Sequence, residues 1–152
     1  MDRRIRVPKE HLAFIDRLTH SDAHPNGPFR QKADVLTFAG VYGHRKGRRS
    51  AFSETGDPIR MDVFENRGSV PVFYLLGWAV ANDPSVLADT DEAIEQRSTI
   101  FEEFANGGLD LLRTELQGLD DPLEKLLLLL SQERSSTTSQ VELGLVDLAS
   151  LL

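Results

Sequence analysis

The sequence predicts a mainly α domain with a small β element (α+β), an N-terminal strand–helix–helix unit packed on a C-terminal helical half. Apolar residues recur at spacings of three and four along most of the chain, the period of a buried helix face. Strict alternation, the period of a half-buried strand, is confined to the short runs at 3–8 and 59–66. The 152 residues, 40% hydrophobic and 27% charged, suit a core-forming domain rather than a disordered chain. That single domain is expected over 1–134, basic at 1–67 and acidic and helical at 68–134. Residues 135–152 read as a Ser/Thr linker and an amphipathic, leucine-rich tail.

In chain order, RRIRVP (3–8) alternates, with Arg4 and Arg6 on one strand face and Ile5 and Val7 on the other. Pro8 ends the strand and opens a helix that runs to about Thr19, with Leu12, Ile15 and Leu18 as its buried stripe. HSDAHPNGP (20–28) is a loop by composition. A second helix spans roughly Arg30 to Tyr42, with Val35, Phe38, Ala39 and Tyr42 at i, i+3, i+4 and i+7 and Gly43 as its terminator. ETGDP is a turn, and IRMDVFEN (59–66) reads as a short strand that RRSAF could pair with. The apolar run Val70–Ala81 is long enough for a buried helix, with Tyr74 and Trp78 in or beside the core. ADTDEAIEQ opens a further helix. At Asn106-Gly107-Gly108 that helix either ends or continues with the glycines allowing close packing. Asp121 and Pro122 then start another helix, as N-cap and first helical residue.

Charge is distributed unevenly. Residues 1–67 hold 13 basic and 9 acidic side chains (+4), and 68–152 hold 4 and 15 (−11), which together make the net −7. GHRKGRR (43–49) concentrates the positive charge in an otherwise acidic protein. Some of it suits the negative end of the preceding helix. The absence of cysteine excludes disulfides and thiolate metal sites and fits a reducing, cytoplasmic setting. The N-terminus has no apolar signal region, and the LLLLL run at 126–130 is far short of a membrane span.

No catalytic set stands out, and no cofactor or metal is expected. His20 and His24 flank Asp22 but sit in a loop without a third ligand. Glu102 and Glu103 are adjacent and read as a solvated helix face. Ser50, Ser53 and Thr55 lie near His44 without a third group to orient them. Asp57, Asp62 and Glu65 are the carboxylates a cryptic metal-dependent nuclease would use.

Binding is better supported. Arg4 and Arg6 on a strand, Arg30 and Lys32 at a helix start, and Arg45, Lys46, Arg48 and Arg49 beyond its end follow the order of ribbon-helix-helix proteins. These are the candidate contacts to a double-stranded DNA backbone. A ribbon of that kind needs a second copy, which makes a homodimer an option. Leu145, Leu148 and Leu152 of the tail are the candidate partner-binding residues.

The combination IRVPKEH, FRQKADVLTFAGVYGHRKGRR, ETGDPIRMDVFEN and IFEEFANGGLDLL resembles the small Dnd system-associated proteins, over roughly Ile5 to Leu130. The first 50 residues resemble, more loosely, the DNA-binding component DndE, with too little identity to carry any residue over. The resemblance implies a place in bacterial DNA phosphorothioation, or in the restriction and phage defence that accompany it. It implies DNA, phosphorothioated or not, and other Dnd-system proteins as partners. The expectation is therefore a non-enzymatic accessory protein that contacts the DNA backbone, and the alternative is a protein-interaction adaptor that does not touch DNA.

Overall fold

The computed structural model describes residues 3–118 and 121–135. They fall into two compact units that divide between Gln117 and Gly118. The first unit is mainly α with a two-stranded antiparallel sheet. Strand β1 (Arg4–Ile5) pairs with β2 (Ile59–Arg60), Arg4 opposite Arg60 and Ile5 opposite Ile59. The pairing continues at Pro8 and Thr55. RRSAF is therefore not the partner of β2, and the ribbon closes within one chain rather than calling for a second copy. The alternating run 59–66 is strand only at its first two residues; α3 (Met61–Asn66) follows and buries Phe64. A short alternating stretch cannot distinguish strand from helix, and the burial of Phe64 decides for helix.

A 3₁₀ turn at Lys9–His11 leads into α1 (Leu12–Leu18), which buries Phe14, Ile15 and Leu18. Helix α2 (Lys32–Arg45) passes through the predicted terminator Gly43. The left-handed residue that ends it is Gly47, at φ 68°. Gly43 serves packing instead, because a Cβ there would stand 2.2 Å from the Phe104 carbonyl oxygen.

Helix α4 (Val70–Ala81) ends at left-handed Asn82, and Asp83 caps the 3₁₀ turn Pro84–Leu87 by accepting from the Ser85 N–H at 3.0 Å. Thr90 caps α5 (Asp91–Leu116), its Oγ1 accepting from the Ala93 N–H at 3.2 Å. This helix continues through Asn106-Gly107-Gly108. Each glycine costs about 1 kcal/mol relative to alanine in a helix. The sequence accepts that cost because α2 lies directly on α5: a Cβ on Gly108 would reach within 1.8 Å of the Ala39 carbonyl oxygen. Phe64, Phe73 and Phe101 fill the adjoining core, with Phe73 and Phe101 stacked at 4.0 Å and Phe64 edge-on to both.

In the second unit, α6 covers residues 122–135. Asp121 caps it, Oδ1 accepting from the Leu123 N–H at 3.1 Å, as its sequence predicts. The tail leucines Leu145, Leu148 and Leu152 lie outside the described residues.

Candidate functional site

Of the eight basic residues that the sequence nominates, Arg6, Lys32, Arg48 and Arg49 are engaged by acids of the same fold. Arg49 donates to Glu103 Oε1 from Nη2 at 2.7 Å and from Nε at 3.0 Å. Arg48 Nη2 lies 3.8 Å from Asp110 Oδ2, and Lys32 Nζ 3.1 Å from Asp16. The Arg6 Nε donates to Glu102 at 3.0 Å, and its guanidinium covers the Phe52 ring at 4.8 Å. Arg4 and Arg6 thus part company: Arg4 is exposed on the ribbon, while Arg6 turns toward α5. Arg30 and Arg45 are exposed, and Lys46 sits 5.9 Å from the Tyr42 ring centre. Arg48 and Arg49 of GHRKGRR therefore form an electrostatic seat for the segment after α2 on the acidic face of α5. The Ser50 N–H donating to Glu103 O at 3.1 Å extends that seat.

Glu102 overturns its sequence reading. It is 1% exposed and is the polar centre of the N-terminal strand's attachment, not a solvated side chain. Its carboxylate accepts from the Arg6 N–H at 2.5 Å and from Arg3 Nη2 at 3.3 Å. Burial pushes the carboxyl above its ordinary range, against the pull of the Arg6 N–H and the charges of Arg3 and Arg6. Ser98, Glu102, Ala105 and Leu109 are buried at i, i+4, i+7 and i+11, a helical stripe with an acid in it. That spacing was the available signal.

The other carboxylate and histidine candidates do not assemble. Asp62 pairs with Arg60, and α3 sets it one turn from Glu65 rather than on the opposite face of a strand. His20 Nδ1 contacts the Pro25 carbonyl at 3.0 Å, inside its own loop. His44 packs edge-on against Phe104 at 5.3 Å. Among the described residues, the one His/Asp/Glu group within metal-ligand reach is Glu10, His11 and Asp110, which the sequence reading missed. His11 is 1% exposed. It continues the Ile15–Leu18 stripe backwards at i+4 and i+7, so an ionisable residue in an apolar row marked it. The three residues line an open groove of about 830 Å³ between α1 and α5, together with Arg17, Arg48 and Arg113.

Helix α4 carries a second feature. VPVFYLLGWAVA contains no charged residue, yet Leu75 is 67% and Trp78 41% exposed. With Pro71 they form an exposed row at i, i+4 and i+7. Trp78 thus lies beside the core rather than within it. Tyr74 is half-buried under the Arg97 guanidinium, 4.1 Å from its ring centre.

The family model described as DNA sulphur modification system-associated protein 4 matches residues 4–149. The chain belongs to that family. No curated protein and no solved structure matches it. Membership in the DNA sulphur modification system-associated family gives the protein an accessory place in that system, alongside its other proteins. No helix among the described residues of this system-associated protein is long and apolar enough to cross a membrane.

Proposed function

We propose that this system-associated protein is a non-catalytic adaptor, docking another protein of the DNA sulphur modification system on the outer face of α4. The observation that carries this is Leu75 at 67% and Trp78 at 41% exposure on a helix without a charged residue. A helix that is apolar all round is ordinarily buried, and a solvent-facing apolar row supplies the aromatic and aliphatic anchors of a protein interface. The test is co-expression with the other proteins of the system, followed by nuclease-treated co-purification of wild type and of a Leu75→Glu/Trp78→Glu variant. Both positions are exposed, so the fold should survive, which circular dichroism checks. Loss of the partner from the variant is the expected result. A partner retained undiminished refutes docking through α4. A second copy in place of a partner, seen by sedimentation, refutes the adaptor reading.

The DNA-contacting reading keeps one specific support. Arg4 is exposed on the ribbon opposite Arg60, whose charge Asp62 takes up, so Arg4 is the cation that the ribbon offers to a phosphate backbone. Fluorescence anisotropy with phosphorothioated and unmodified duplexes over a salt series tests it. A log affinity that falls steeply with log salt, and weakens in Arg4→Glu, supports backbone contact. Absence of binding at low salt removes it.

A further inference from the structure

We propose that the groove between α1 and α5 holds a divalent transition-metal cation on Glu10, His11 and Asp110, with its open positions available to a phosphate group. The site is independent of the α4 surface and of the adaptor reading. His11 Nε2 lies 2.8 Å from Asp110 Oδ1 and 3.4 Å from Glu10 Oε1. All three ligand atoms fall within 4.8 Å of one another. Donors on a tetrahedral ion with bonds of about 2.0–2.1 Å stand roughly 3.4 Å apart. The Glu10 contact already has that spacing, and the Asp110 contact reaches it by opening about 0.6 Å.

The imidazole is what distinguishes this cluster from ordinary surface acids. Despite the short approach of Asp110, neither ring nitrogen of His11 makes a hydrogen bond within the protein, and both are buried. Nε2 meets the Asp110 and Glu10 carboxylates at ion-pair distance but outside hydrogen-bond geometry, and a metal ion among the three would satisfy the nitrogen and both acids together. The ligands are also held from two directions. His11 ends the 3₁₀ turn that starts α1, and Asp110 projects from α5. Glu10, at 63% side-chain exposure, is free to swing onto an ion that enters from the open groove. One imidazole and two carboxylates suit zinc, manganese or cobalt in the divalent state.

The rim names the second ligand. Arg17, Arg48 and Arg113 line the same groove. Around a cation alone they are repulsive, so the two carboxylates must outweigh them and affinity is modest. Once an anion bridges the ion and the guanidinium groups, the same charges become favourable, as in metal-assisted phosphate recognition. His11 Nδ1 lacks an acceptor. Metal-bound histidines are usually braced at that atom, and loss of the brace weakens affinity by about 10–100-fold. A dissociation constant on the order of micromolar is therefore expected, rather than that of a structural zinc site.

The experiment is calorimetric titration of the full chain with Zn²⁺, and optical titration with Co²⁺, in wild type, Asp110→Asn, His11→Gln and His20→Gln/His24→Gln. One ion per chain is expected, with affinity reduced at least tenfold in Asp110→Asn and His11→Gln and unchanged in the loop double variant. Asp110→Asn is nearly isosteric and keeps the test valid if His11→Gln fails to fold. Inorganic phosphate should then bind the metal-loaded protein more tightly than the metal-free one, and Arg17→Ala should remove that gain. Absence of metal binding, or binding lost only in the loop double variant, overturns the site. Metal binding without the phosphate gain overturns the role of the arginine rim.

Discussion

Replacing Gly108 with alanine tests the geometry on which the first unit rests. In an isolated helix the change would stabilise by about 1 kcal/mol, since alanine is the better helix former. Here the new Cβ would meet Ala39 O at 1.8 Å, Ala39 C at 2.6 Å and Gly43 N at 3.0 Å, all of them backbone atoms of α2. Ordinary contact begins near 3.4 Å. Because neither backbone has a rotamer to escape into, α2 and α5 must separate by on the order of 1.5 Å, and a gap of 0.5–1 Å already forfeits about a quarter to a half of each dispersion contact. Overpacking typically costs about 1–3 kcal/mol, and a backbone-to-backbone clash belongs at or above the top of that range. Setting the propensity gain against it leaves a net loss of roughly 2–4 kcal/mol, a large share of a typical domain's stability. At roughly 4 °C per kcal/mol the melting temperature falls by about 10 °C. Gly40→Ala is the control in the facing helix. Its Cβ would find its nearest neighbour, the Phe101 ring, at 3.5 Å, an ordinary contact, so the propensity gain survives and the melting temperature holds or rises. Thermal unfolding followed by circular dichroism measures both. A Gly108→Ala protein that melts at or above wild type would refute the close α2–α5 crossing.

The remaining predictions concern buried charge. Glu102 has a folded-state carboxyl value raised above its ordinary 4.5, so its contribution to stability is present at acid pH and is lost as pH rises through the raised value. Glu102→Gln should therefore gain on wild type as pH climbs from about 4.5 toward neutrality; a wild type that gains on the variant over that window overturns the dominance of burial. Arg97 is 5% exposed and donates from Nη1 to the Val86 and Ala88 carbonyls, each at 2.7 Å, while stacking on Tyr74. Arg97→Met should cost about 2–4 kcal/mol and speed amide exchange at 84–88, where those carbonyls lie; unchanged exchange there would show that the guanidinium does not hold the turn.

Local pattern and tertiary contact divided the determination of this molecule between them. Sequence alone determined the helical class, the start of α6 at Asp121 and Pro122, the helix at Val70–Ala81 and the family resemblance. Period, capping chemistry and composition act over a few residues and are legible without the fold. It also showed that GHRKGRR concentrates positive charge. What that charge does was decided only by the tertiary structure, because a salt bridge such as Arg49–Glu103 joins positions far apart in the chain and leaves no local mark. The same holds for the glycines. Gly43 and Gly108 read equally well as helix terminators, and only the approach of two backbones made them packing residues. Glu102 and His11 each continue an apolar stripe of their own segment, which hinted at burial, but the partners that make them the centre of a contact, Arg6 for Glu102 and Asp110 for His11, come from other elements. The exposed row on α4 is the converse case. Its apolar composition is visible in the sequence, but whether that face meets the core or the solvent depends on where α5 lies and on which side of α4 its packing surface is already used.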